Sequence, residues 1–265
     1  MRTSAGWPLR TQRLQEAPAR VLTYAEATKS VSAESTHGKR TARSVLLLHG
    51  YTHSPAQVAG LAEVFFQHGF NVYAPTAPQH GPGGGHKGFT AAQLVRHAGA
   101  ALDVAAALGD EVGVVGVSAG AALATWLGAH RGDVVSRLLL ITPLFAPRPR
   151  PALRPLTVLY GLRLPPDRVN DRGYSFTAVA QYLRVAANLP AAPVTGALRH
   201  VAVVTSPGDT VVDAGPAVAV PERLAAQAGA TFTHHALPAG AGHAHNVIGA
   251  HAAALDPLYF DLYDG

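Results

Sequence analysis

Residue types that could do chemistry concentrate in four short stretches. Gly116-Val117-Ser118-Ala119-Gly120 fits the nucleophile-elbow pattern G-x-S-x-G. In that pattern a serine sits on a sharp strand-to-helix turn. Glycines two positions either side let strand and helix approach closely. The helix N-terminus then brings positive partial charge and free N–H groups to a developing oxyanion. Ser206-Pro207-Gly208-Asp209-Thr210-Val211-Val212-Asp213 offers an acid to orient a histidine. Asp209 is preferred over Asp213 because it lies nearer the end of the preceding apolar run, and an Asp after Pro-Gly can also be a simple turn cap. Gly240-Ala241-Gly242-His243-Ala244-His245-Asn246 offers two histidines, His243 and His245, as the base. His49-Gly50-Tyr51-Thr52 can turn a backbone N–H toward the serine, so the expected oxyanion donors are the N–H groups of Tyr51 and Ala119. His49 itself is expected to pack and bond that loop. Together these groups would carry acyl transfer through a covalent serine intermediate.

Such groups are useful only if the chain brings them to one place. From Ser44 onward short apolar runs alternate with helical patterns. Val45 to Leu48 ends at His49, Asn71 to Ala74 is stopped by Pro75, and Val112 to Val117 leads into the elbow. Arg137 to Ile141, Val201 to Thr205 and Thr231 to Leu237 follow. Helical spacing is expected over residues 58–66, 91–108, 120–130, 221–228 and 250–263. Continuous apolar strands alternating with helices predict a mostly parallel sheet covered on both faces. Ligands of such sheets bind beyond the carboxyl ends of the strands, where the four stretches fall. Residues 1–43 are expected to form an N-terminal extension: a loose lead over 1–20, a short helix near 24–33 and a polar linker over 34–43. The main domain is expected over 44–265. Within it, 143–197 breaks the alternation, with seven prolines between Pro143 and Pro166. It is expected to be a small lid with helical character around 178–187. Tyr160, Leu162, Leu164, Tyr174, Phe176, Tyr182 and Leu183 would either line an acyl pocket or pack the lid onto the body.

Composition narrows the classes. Apolar residues make up 48% against 14% charged, enough to bury a sizeable core. The charge of +5 comes almost wholly from arginine, with no nucleic-acid module beneath it. It is read as a compositional bias, and no nucleic-acid partner is expected. The absence of cysteine excludes disulfides and thiol nucleophiles. The 14 histidines include no His-Glu-x-x-His, so no metal is expected. Residues 81–88 are glycine-rich but lack Gly-Lys-Ser/Thr, so no phosphate loop and no cofactor are expected. No apolar run reaches the length of a membrane span and no signal-like stretch opens the chain, which predicts a cytoplasmic protein without stable membrane insertion.

The stretch 49–57, the loop Ala77-Pro78-Gln79-His80-Gly81 and the elbow resemble small bacterial α/β hydrolases, of the carboxylesterase and serine aminopeptidase/monoglyceride-lipase-like kind. The resemblance spans roughly Val45 to Tyr263. It implies the α/β-hydrolase fold, with triad residues in the chain order Ser, Asp, His. It also bears on the base: in such relatives a proline closes the last strand, and the histidine follows about seven residues later before Asp-aliphatic-aliphatic. Pro238 and His245 have that relation, with Asn246 in place of the Asp. The expected set is therefore Ser118, Asp209 and His245. The implied function is hydrolysis of carboxylic esters of small or medium acyl chains, on a small-molecule acyl substrate. Monoacylglycerol-lipase-like or peptidase activity, or a non-catalytic binding protein on the same fold, stand as alternatives.

Overall fold

The structure is a computed structural model. It describes residues 14, 19–32, 35–148, 153–193, 196–240 and 244–265. Most of the expected lead over 1–20 and the rival histidine His243 therefore lie outside the described residues.

Six parallel strands form one sheet in the order β2-β1-β3-β4-β5-β6. They are β1 (Thr41–Leu48), β2 (Asn71–Tyr73), β3 (Gly109–Val117), β4 (Val135–Ile141), β5 (His200–Thr205) and β6 (Thr231–Ala236). The period-two pleat divides each central strand between two cores. Leu46, Leu48, Val112 and Val114 face one side, covered by α3 (Ala91–Leu108), α4 (Ala119–His130) and α6 (Phe176–Ala187). Val45, Leu47, Val115 and Val117 face the other, covered by α2 (Ala59–Gln67) and α8 (Asp256–Asp264). Burial on both faces explains why these strands read as continuous apolar runs.

Several boundaries differ from the sequence expectation. β1 begins at Thr41, inside the expected linker, because Thr41 and Arg43 pair with Gly109 and Glu111 of β3. Arg43 tolerates this place by lying over the Phe70 ring and bonding Asp264. The short helix α1 (Tyr24–Ala27) is opened by a Thr23–Glu26 capping box and packs Ala27 against Val104 and Leu108 of α3. α7 (Ala214–Ala228) starts two turns before Pro221, which sits inside it; the helix is opened instead by Asp213, whose carboxylate accepts from Gly215 N–H at 2.9 Å. Between β4 and β5 the chain forms α5 (Leu153–Gly161) and α6. Prolines hid α5 from the sequence, since Pro155 falls in its first turn, where a missing N–H costs nothing.

Candidate active site

Ser118 lies between β3 and α4, and its backbone is forced. Its φ of 51° and ψ of −109° are strained for a residue with a side chain. The contacts around it hold it there. Ser118 N–H donates to Ile141 C=O at 2.8 Å, and Ser118 C=O accepts from Ala121 and Leu144. A Cβ at Gly116 would lie 2.5 Å from Ala121 Cα, and one at Gly120 would meet the Leu48 and His49 carbonyl oxygens. Both glycines of the motif are thus required by close approach, and the turn projects the serine beyond the sheet.

The structure brings Ser118, His245 and Asp209 together. Ser118 Oγ is 2.8 Å from His245 Nε2, and His245 Nδ1 is 2.7 Å from Asp209 Oδ2. A carboxylate only accepts, so Nδ1 carries the proton and Nε2 is left to accept from the serine hydroxyl. Asp209 is buried at 5% exposure, and burial alone would raise its pKa. The bonds from His245 and from the Val211 and Val212 N–H groups outweigh burial and hold the carboxyl below its usual range. Asp209 therefore stays ionised through the neutral range. Asp213 is the α7 cap described above.

The histidine segment is fastened from two sides. Thr142, directly after β4, donates from its hydroxyl to His245 C=O at 3.2 Å. Gln57 spans the other side: its Oε1 accepts from Gly50 N–H at 2.7 Å, and its Nε2 donates to Asn246 Oδ1 at 3.1 Å. One buried side chain thus joins the loop after β1 to the residue next to His245. Sequence reasoning missed this bridge. Nothing in the sequence joins Gln57 to Asn246, which stand 189 positions apart.

Tyr51 N–H and Ala119 N–H donate to no group among the described residues. They lie at the turn after β1 and at the first residue of α4, flanking the serine in the chain's topology. The Tyr51 ring is buried, and its hydroxyl accepts from Ser175 N–H at 3.2 Å, at the start of α6. His49 is structural: its Nδ1 donates to Gly50 C=O and its Nε2 accepts from Ala77 N–H. Burial lowers its pKa to about 4, so it is neutral. His80 lies against His49, Tyr51 and Phe89 and helps shape the 76–89 loop.

Ser118 and His245 open into a cavity of about 330 Å³. Tyr160, Tyr174, Phe176 and Leu183 from the β4–β5 segment line it, with Leu144 and Val211. Of the other residues expected there, Tyr182 is in the core between Tyr51 and Phe89, and Leu162 and Leu164 face outward at 50% and 67% exposure. His53 lines the cavity as well; burial first, then the nearby His245, lowers its pKa. Among the described residues no cluster of His, Asp or Glu could hold a metal ion, and no helix is long and apolar enough to cross a membrane.

A parallel sheet with a strained serine after its third strand defines an α/β-hydrolase architecture. The chain belongs to the alpha/beta hydrolase family, whose sequence model matches residues 45–255. Among solved structures it is similar to a structure from a study of LipS and LipT, two metagenome-derived lipolytic enzymes. That match has 16% identity and a TM-score of 0.65, covering 84% of this chain and 94% of that one. It is also similar to Est1E from Butyrivibrio proteoclasticus with ferulic acid bound, at 16% identity and a TM-score of 0.63, covering 86% and 90%. A soluble variant of monoglyceride lipase from Saccharomyces cerevisiae matches at 17% identity and a TM-score of 0.58, covering 84% and 85%. No curated protein sequence matches.

Proposed function

We propose that the chain is a serine carboxylesterase acting on small or medium acyl esters. The observation that carries this reading is the unbroken hydrogen-bonded line from Ser118 through His245 to buried Asp209, opening on a largely apolar cavity. Ser118 Oγ attacks the ester carbonyl while His245 Nε2 takes its proton. Tyr51 and Ala119 N–H groups receive the oxyanion. The carbonyl–oxygen bond to the alcohol breaks, and His245 delivers the proton to that oxygen. A water then attacks the acyl-enzyme, His245 takes its proton and returns one to Ser118, and the carboxylic acid leaves. Asp209 holds the imidazole tautomer throughout. The β4–β5 segment acts as a lid that supplies the apolar wall for the acyl chain.

A second reading, monoacylglycerol-lipase-like action, is favoured by one feature: Leu159, Leu162, Leu164 and Val169 of that segment are large apolar residues exposed to solvent. Hydrolysis of p-nitrophenyl acetate, butyrate, octanoate and palmitate tests both. The esterase reading expects turnover that peaks at butyrate or octanoate and is lost in Ser118→Ala and His245→Ala but kept in His243→Ala. A maximum at palmitate moves the protein to the second reading. Undiminished turnover in Ser118→Ala overturns both.

A further inference from the structure

Two arginines in the cavity wall, Arg148 and Arg172, have no part in the hydrolysis of a simple ester. They arrive from different directions and converge on consecutive residues: Arg148 Nη1 donates to Asp209 C=O at 3.3 Å, and Arg172 Nη2 donates to Thr210 Oγ1 at 3.1 Å.

Each is presented from an ordered backbone. Arg148 N–H donates to Val211 C=O, and Pro147 pairs with Val212, so residues 146–148 run as a short antiparallel partner to 211–213. Arg172 sits in a turn closed by the Val169–Ser175 bridge, where Asn170 Oδ1 accepts from Arg172 N–H and Tyr174 N–H.

The two guanidinium groups are thus anchored on adjacent residues of one turn, where a single anion can meet both. Among the described residues neither forms an ion pair. The carboxylate of Asp209 is taken up by His245 and two backbone N–H groups. Asp171 also lines the cavity, and among the described residues it forms no ion pair with either arginine. Each guanidinium spends one N–H on a neutral oxygen and keeps a fork of donors suited to a carboxylate.

We propose that Arg148 and Arg172 form a carboxylate-binding subsite, and that the substrates are acidic esters: half-esters of a dicarboxylic acid, with the scissile ester at Ser118 and the free carboxylate at the arginine pair. This rests on the serine esterase reading and narrows its substrate class. Hydrolysis consumes one water and yields the alcohol and the dicarboxylate.

The test compares monoethyl adipate with ethyl hexanoate, which share acyl length and leaving group and differ in the terminal carboxylate. Effects of a substitution on the acid turn are common to both esters and cancel in the ratio of their kcat/KM values. The wild type is expected to favour the half-ester by about tenfold or more, the scale of one well-made charged contact. The ratio should fall toward one in the Arg148→Gln/Arg172→Gln protein and in high salt. A wild-type ratio at or below one, or a ratio the double substitution leaves in place, overturns the subsite while turnover of ethyl hexanoate leaves the esterase intact. Loss of the esterase reading shows instead as no turnover of either ester. The subsite is then decided by adipate itself, through the thermal shift of the Ser118→Ala protein. A shift that the double substitution abolishes sustains it, and no shift overturns it.

Discussion

The elbow after β3 and the segment after β4 meet at the same cavity but are held by different means. At the elbow every degree of freedom is removed by contact. Two glycines are pressed against carbonyl oxygens and a helix backbone, and the serine is kept in a left-handed conformation by bonds from β4 and beyond. The segment between β4 and β5 packs the inner side of α6 into the core and is otherwise tied to the body by hydrogen bonds from side chains: Tyr51 hydroxyl to Ser175, Gln181 to Ala91 N–H, Arg163 to Phe89 C=O, Arg172 to Thr210. Close packing fixes atoms to fractions of an ångström, as bond-making requires. The bonds to Ser175 and Ala91 are buried, whereas those of Arg163 and Arg172 lie nearer solvent and hold a wall that can vary in shape and charge. On the proposed function, the difference gives chemistry to the body and selection to the segment above it.

That division can be broken by kinetics. The largest effect belongs to the acid: Asp209→Asn should lower kcat by about 10³–10⁴-fold, because the imidazole loses its tautomer. Asp213→Asn should leave kcat within about threefold, since its bond is to a helix N-terminus. A reversal of these two would move the acid to Asp213. Next comes Gln57→Leu, which strips the buried Gly50 N–H of its acceptor and frees Asn246. Its cost of about 1–3 kcal/mol should appear mainly as a kcat lower by about tenfold, measured on butyrate esters. In the segment above, Phe176→Ala should act oppositely. It should raise KM for octanoate by about tenfold while kcat changes little, because it removes apolar wall beside Tyr160. A Phe176→Ala protein that loses kcat as Gln57→Leu does would dissolve the distinction.

The smallest effect lies away from the cavity, at Asp256. Its side chain is buried at the start of α8, with Oδ1 unbonded among the described residues, and burial raises its pKa to about 6. A carboxyl whose folded pKa exceeds the unfolded one stabilises the fold while protonated, and this is lost as pH rises through 6. Asp256→Asn should therefore gain about 3 kcal/mol over the wild type at pH 8 and nothing at about pH 3, as read from denaturant midpoints. Activity should not follow.

What the sequence conveys tracks the same contrast. The elbow was legible because steric necessity leaves few residue types open: glycine, serine, glycine after an apolar strand. Asp209 was singled out by its place at a strand end, and His245 over His243 by the resemblance to α/β hydrolases. Strands buried on both faces were legible for a similar reason, since only apolar runs satisfy that position. Pairings between distant segments were not. Gln57 and Asn246 are 189 positions apart, and nothing in the sequence pairs them until the fold joins them. Arg148 and Arg172 stand in the sequence among the clustered arginines of the middle segment and were read with them as compositional bias, because an excess of one residue type masks the two that converge. α5 was hidden by Pro155 and the prolines before it, and the first half of α7 by a proline inside the helix.

The central claim is that Ser118, activated by His245 and Asp209, forms the covalent acyl intermediate. The most direct measurement is the intact mass of the protein after treatment with a fluorophosphonate, followed by peptide mapping. The account predicts one phosphonyl adduct per chain, on Ser118, formed far more slowly in His245→Ala and absent in Ser118→Ala. An adduct on another residue, or a Ser118 that reacts equally fast without His245, would contradict it.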